Sequence, residues 1–170
     1  RIDWNAVART DQLLIKRFQE EILPSITLLL DDSMSMVTFP DKAQHLFDGA
    51  AWLSGSFEHL EVRSTLLALE QGTLDFAQCL AGDWSAQGTS TLQDSISRRI
   101  GQLGRGTHLI LLSDLLSPHE PQKILRLLRE RVQHCTVIQI LSEQDWNFEL
   151  GDVVQMQDSE TGEVVELSID

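Results

Sequence analysis

Short apolar runs alternate along this chain with longer segments whose apolar residues recur at helical spacing. Four apolar runs predict buried strands, at residues 25–30, 61–69, 108–112 and 135–141. Three segments with a helical stripe lie between or after them, at residues 41–59, 91–103 and 118–133. Residues 13–18 are expected to be extended, residues 72–88 show no regular pattern, and residues 153–167 predict a hairpin.

This order of elements predicts an α/β fold. Strands that alternate with helices favour a mostly parallel sheet with helices on both faces. We therefore expect a Rossmann-like domain with a small C-terminal β hairpin. The 170 residues contain no repeat or linker, so residues 1–170 are expected to form a single domain. The chain begins with Arg1 rather than Met, and we expect it to be part of a longer protein.

Charge and composition narrow the function classes. The formal net charge of −13 argues against binding to nucleic acid or to an anionic membrane surface. No apolar run is long enough for a membrane span and no signal peptide is visible, which predicts a cytoplasmic domain and leaves upstream membrane segments open. Cys79 and Cys135 form no CxxC pair, so we expect two buried free thiols in a reducing compartment.

The candidate chemistry lies where the first predicted strand ends. Asp31, Ser33 and Ser35 place three oxygens on alternate residues of one loop, and open α/β sheets bind ligands beyond the carboxyl ends of their strands. Such hard oxygen ligands suit Mg²⁺ or Mn²⁺ better than Zn²⁺ or copper. Asp114 ends the third strand, and Thr89 lies in a glycine-containing loop before a helix. All five side chains could converge at one edge of the sheet.

These five residues resemble, in type and order, the metal-ion-dependent adhesion site of von Willebrand factor A domains. That pattern is Asp-x-Ser-x-Ser after the first strand, a Thr in a glycine-containing loop and an Asp at the end of a later strand. Other segments resemble the bacterial family called domain of unknown function 58, which is associated with MoxR-type AAA+ ATPases, so that the resemblance covers nearly the whole chain. The segments that resemble this family are Ile2-Asp3-Trp4, Ala8-Arg9-Thr10, residues 13–21, Leu112-Ser113-Asp114 and residues 158–163.

The resemblance implies a von Willebrand factor A-type domain that binds and does not catalyse. Ser33, Ser35 and Thr89 would supply neutral hydroxyl ligands to Mg²⁺ or Mn²⁺, while Asp31 and Asp114 would hold the ion directly or through water. Neutral ligands leave the ion under-neutralised, so a vacant coordination position would attract an Asp or Glu of a protein partner. A MoxR-type AAA+ ATPase is the partner that the family implies.

Two other functions stay open at this point. The domain could be a metal-free structural scaffold, in which the serines cap a helix and Asp114 belongs to a turn. It could also be a phosphoryl-transfer domain, because Leu30-Asp31-Asp32 resembles the acidic pair of receiver domains. A phosphatase of the haloacid-dehalogenase type needs a second Asp where this chain has Ser33.

Overall fold

The structure is a computed structural model that describes residues 25–81, 90–117, 121–146, 153–157 and 162–168. Its strands are β1 (Ile26–Leu30), β2 (Ser64–Ala68), β3 (Gly72–Leu74), β4 (His108–Ser113), β5 (His134–Gln139), β6 (Val153–Gln157) and β7 (Val164–Ser168). Its α-helices are α1 (Met34–Thr38), α2 (Pro40–His59), α3 (Phe76–Ala81), α4 (Leu92–Arg99), α5 (Pro121–Arg129) and α6 (Glu143–Trp146). A 3₁₀ turn, Ile100–Gln102, follows α4 directly.

Five strands form one mixed sheet in the order β3-β2-β1-β4-β5. β1 pairs in parallel with both β2 and β4, β4 pairs in parallel with β5, and β3 runs antiparallel to β2. The prediction of a mostly parallel α/β sheet is therefore confirmed, and the arrangement is compatible with a Rossmann-like fold. The chain leaves β1 toward β2 on one side and returns to β4 on the other. The strand order thus reverses between β1 and β4, which is where α/β sheets bind ligands.

Helices cover both faces of the sheet. Leu28 and Leu30 of β1 belong to the core that packs with α2, whereas Leu29 belongs to the core that packs with α4 and α5. This alternation follows from the period of two residues along a strand. Because both faces are buried, the central strands consist almost entirely of apolar residues, which explains why their sequence runs are continuous rather than alternating.

Several boundaries differ from the sequence prediction. Residues 72–88 were expected to be irregular, but β3 and α3 lie within them. The turn before β3 depends on Gly72, whose positive φ of 95° is open to glycine and rarely to other residues. β2 begins at Ser64 rather than at residue 61, because Glu61 adopts a positive φ in the turn after α2. α4 and α5 end at Arg99 and Arg129, before the predicted ends at residues 103 and 133.

The remaining predictions concern the tail, membrane spans and cysteines. β6 and β7 pair antiparallel as a hairpin, as predicted. No helix among the described residues is long and apolar enough to cross a membrane. Cys135 is free and half-buried on β5, where burial raises the pKa of its thiol. The side chain of Cys79 and the segments 13–18 and 118–120 lie outside the described residues.

Candidate functional site

The candidate site lies at the edge of the sheet where the strand order reverses. Leu30 pairs with Leu112 near the ends of β1 and β4. The residues that follow the two strands therefore lie at the same end of the sheet. Asp31 remains attached to this edge, since its backbone N–H donates to Leu112 O at 3.0 Å. Asp31 and Asp114 are each only 1% exposed. Two acidic side chains therefore enter the protein interior beside the point where α/β folds bind ligands.

The loop after β1 brings two hydroxyl groups together. The backbone N–H of Ser33 donates to Asp31 Oδ1 at 3.0 Å and turns the chain into α1. Ser33 is the N-cap residue of α1, yet its side chain makes no capping hydrogen bond. Its Oγ instead forms a hydrogen bond with Ser35 Oγ at 3.0 Å, and both serines are buried. Ser33 therefore does not use its side chain to cap α1.

Asp31 is held in a way that keeps its carboxylate buried and oriented. Oδ1 accepts from Ser33 N, and Oδ2 accepts from Ser113 Oγ at 2.5 Å. The pKa of Asp31 is raised to about 6, chiefly by burial and in part by the nearby charge of Asp114, against the lowering effect of the hydrogen bonds from Ser113 and Ser33. The ionised form is destabilised here, so a cation close to this carboxylate would be favoured.

Asp114 pairs with a buried lysine that the sequence analysis did not single out. Lys42 Nζ donates to Asp114 Oδ2 at 2.8 Å, while Leu116 N donates to Asp114 Oδ1 at 2.9 Å. Leu115, between them, has a left-handed φ of 57°, which is uncommon outside glycine and asparagine. The backbone after β4 thus turns sharply in a way that directs the Asp114 carboxylate toward α2.

One sequence signal could have identified Lys42. It precedes Leu46 by four residues and Ala50 by eight, so it lies on the apolar face of α2 that packs on the sheet. A lysine on a buried stripe needs a carboxylate partner, because an unpaired buried ammonium is costly. Its partner could not be read from local pattern, since Asp114 lies 72 residues further along the chain.

Asp32 does not contribute to the hydroxyl pair. Its carboxylate accepts from the backbone N–H groups of Glu70 at 2.7 Å and Gln71 at 3.2 Å, in the turn between β2 and β3. Burial raises the pKa of Asp32, although these two hydrogen bonds oppose the shift. Asp32 therefore fastens the loop after β1 to the neighbouring turn.

The same turn is bound from its other side by α4. Arg99 donates to the backbone carbonyl groups of Leu69 at 2.9 Å and Glu70 at 2.6 Å. The Glu70 carboxylate also accepts from Ser95 Oγ and from Arg98. Thr89, the fifth predicted ligand, precedes this helix and lies outside the described residues.

The two serine hydroxyls fit a small divalent ion. With Mg–O distances of about 2.1 Å, neighbouring ligands of an octahedron lie about 3.0 Å apart, and the two Oγ atoms have this separation. Within the described ranges, no group of three or more His, Cys, Asp or Glu side chains is arranged to hold a metal ion. The set here is of a different kind, because it combines two carboxylates with hydroxyl groups.

Two apolar residues next to the proposed ligands in sequence are exposed. Met34, between the two serines, is 38% exposed, and Leu116, after Asp114, is 48% exposed. Met36, by contrast, is buried in the core that packs with α2. Exposed apolar side chains therefore adjoin the buried site residues in sequence.

Four of the five predicted ligands thus belong to one edge of the sheet. They are Asp31, Ser33, Ser35 and Asp114. No model of a protein family and no curated protein matches this chain. Function is therefore inferred from the geometry of the site together with the resemblance in the sequence.

Proposed function

We propose that this domain is a protein-interaction module of the von Willebrand factor A type, which uses Mg²⁺ or Mn²⁺ to bind a carboxylate of a partner. Asp31, Ser33, Ser35 and Asp114 would hold the ion, with Thr89 added by the resemblance. The observation that carries the proposal is the buried pair of serine hydroxyls, 3.0 Å apart, at the strand-order reversal. Neither hydroxyl is explained by capping of α1.

Each residue has a distinct part in this proposal. Ser33 and Ser35 supply neutral oxygens, which bind a hard cation without cancelling its charge. Asp31 supplies a carboxylate whose ionised form lacks solvation, so a cation would relieve that cost. When bound, the ion would provide a positive centre for an Asp or Glu from the partner. In the proposed setting, a cytoplasmic MoxR-type AAA+ ATPase or a protein that works with it supplies that residue.

A metal-free scaffold is the second candidate, and one observation favours it. The ammonium group of Lys42 already gives Asp114 a buried positive partner at 2.8 Å. A site whose acid is neutralised within the chain could persist for structural reasons alone. Phosphoryl transfer finds less support, because Ser33 stands where a phosphatase of the haloacid-dehalogenase type needs its second Asp.

Thermal unfolding in Mg²⁺, in Mn²⁺ and in EDTA separates the first two candidates. A ligand that binds only the folded state at a hundredfold excess over its Kd stabilises by about 2.7 kcal/mol. We expect both ions to raise the Tm of wild type and of Ser97→Ala, a control that removes an exposed hydroxyl on α4. The double variant Ser33→Ala/Ser35→Ala should lose the increment. Equal increments in all three proteins would show that the ions bind elsewhere.

The partner half of the proposal needs a separate measurement. Calorimetry with a purified MoxR-type ATPase would compare wild type and Thr89→Ala, each in Mg²⁺ and in EDTA. We expect binding that depends on the ion and is weakened by Thr89→Ala, and linkage requires the partner to raise ion affinity by the same factor. Binding that is indifferent to EDTA would refute the metal bridge.

A further inference from the structure

The position of Lys42 is unfavourable for a lysine in two respects. It lies in the first turn of α2, where the partial positive charge of a helix N-terminus disfavours a cation. It is also only 1% exposed, although a buried ammonium loses its hydration. Its neighbours must compensate both costs, and they belong to three separate segments of the chain.

The ammonium group donates hydrogen bonds to two oxygens and forms an ion pair with a second carboxylate. It lies 2.8 Å from Asp114 Oδ2, 3.1 Å from Asp145 Oδ2 and 3.2 Å from the backbone oxygen of Ser35. Lys42 therefore contacts the backbone of one proposed ligand and the carboxylate of another. Its remaining ionic partner, Asp145 of α6, is not among the proposed ligands.

Ser142, whose backbone contacts Asp145, has a buried hydroxyl without a partner among the described residues. The backbone N–H of Ser142 donates to Asp145 Oδ2 at 2.7 Å, so Ser142 adjoins the carboxylate that binds Lys42. Ser142 is 2% exposed, and among the described residues its Oγ has no hydrogen-bond partner. Buried hydroxyl groups are rarely left unsatisfied, so an unpaired one calls for an explanation.

We propose that Lys42 competes with the divalent ion for Asp114 and has a second position at Asp145. With the site free of the ion, the ammonium neutralises Asp114. When Asp114 turns to a metal ion, Lys42 keeps Asp145 and donates to Ser142 Oγ the N–H that Asp114 no longer accepts. Lys42 is then a positioning residue that sets how tightly the site binds cations. This inference rests on the proposed function, because it concerns the same site.

We expect two variants to change the metal affinity in opposite directions. Lys42→Met removes the competing charge and should tighten Mn²⁺ binding about tenfold or more, which corresponds to about 1.4 kcal/mol. Asp145→Asn removes the second carboxylate, so the ammonium should remain at Asp114 and weaken Mn²⁺ binding. Both changes disrupt the same buried ion pair. A purely structural role would therefore move the affinity in the same direction in both variants.

Calorimetric titration with Mn²⁺ alone tests these expectations on the whole chain. Lys123→Met is the matched control, because it removes an exposed lysine of α5 and lowers the net charge equally. Circular dichroism in EDTA checks that each variant folds, and if Lys42→Met does not, Asp145→Asn decides. Unchanged or tighter binding by Asp145→Asn, or unchanged or weaker binding by folded Lys42→Met, would overturn the inference.

The outcomes also separate this inference from the proposed function. If wild type binds Mn²⁺ but the variants do not diverge as stated, only the role of Lys42 is wrong. If wild type does not bind and Lys42→Met does, the competition is supported and metal binding by the native domain is refuted. If neither protein binds Mn²⁺, both proposals fail.

Discussion

Replacing Asp31 with asparagine tests how much the buried carboxylate destabilises the fold. The pKa of Asp31 is raised from 3.8 to about 6, chiefly because burial disfavours its charge. The folded state therefore holds this proton more tightly than the unfolded state. In EDTA, this group should make the protein more stable as the pH falls from 7 through 6 toward 4, and the gain should level off only below the unfolded-state pKa of 3.8.

The size of the effect follows from the same pKa shift. At about 1.4 kcal/mol per pKa unit, ionisation of Asp31 costs the fold about 3 kcal/mol at pH 7 and about 0.5 kcal/mol at pH 4. The asparagine side chain of the variant cannot ionise, and its amide still offers an oxygen to Ser33 N. The free energy of unfolding of Asp31→Asn minus that of wild type should therefore rise by about 2.5 kcal/mol between pH 4 and pH 7.

Urea denaturation in EDTA at several pH values measures this difference. Subtracting wild type from Asp31→Asn removes the contributions of groups that titrate alike in both proteins, including Asp32, whose pKa is also raised. A difference that stays constant from pH 4 to pH 7 would refute the reasoning. In saturating Mg²⁺ the difference should shrink, because an ion at the proposed site would favour the ionised carboxylate of wild type.

Two further predictions concern the frame around the site. Asp32→Ala should lower the free energy of unfolding by about 1–3 kcal/mol, because two backbone N–H groups of the β2–β3 turn lose their acceptor; urea denaturation against the exposed control Asp48→Ala measures it, and equal losses would contradict this role. Leu128→Ala should cost about 2–5 kcal/mol, because its side chain is fully buried on the inner face of α5. Trp52→Ala, at a side chain that is 71% exposed, should cost less than about 1 kcal/mol, and a reversed order would be inconsistent with the described core.

The local sequence pattern was sufficient to predict the central strands and the long helix α2. Their apolar residues follow a period of two or 3.6 over many positions, and β1 and α2 therefore lie within a residue or two of the prediction. β3 has only three residues, too few for any period to be visible. Its pairing with β2 depends on the turn at Gly72, which is a tertiary feature rather than a propensity.

The residues of the candidate site also divide into those that the sequence predicts and those that it does not. Asp31, Ser33 and Ser35 are close in sequence, so their spacing alone predicts that they share a loop. Asp114 could be added because parallel strands end at a common edge. The buried position of Lys42 could be read from the apolar stripe of α2, but its contact with Asp145 could not, since it joins α2 to α6 and no local spacing encodes it.

Lys42 also bears on whether this protein folds before or after it binds the ion. Small zinc domains are unfolded until their metal arrives, because metal binding supplies most of their folding free energy. Here the chain itself provides a positive charge for Asp114 and Asp145. A newly synthesised copy would reach its native fold first and encounter the ion later. Scarcity of the ion would then delay assembly with a partner without exposing the domain to proteolysis.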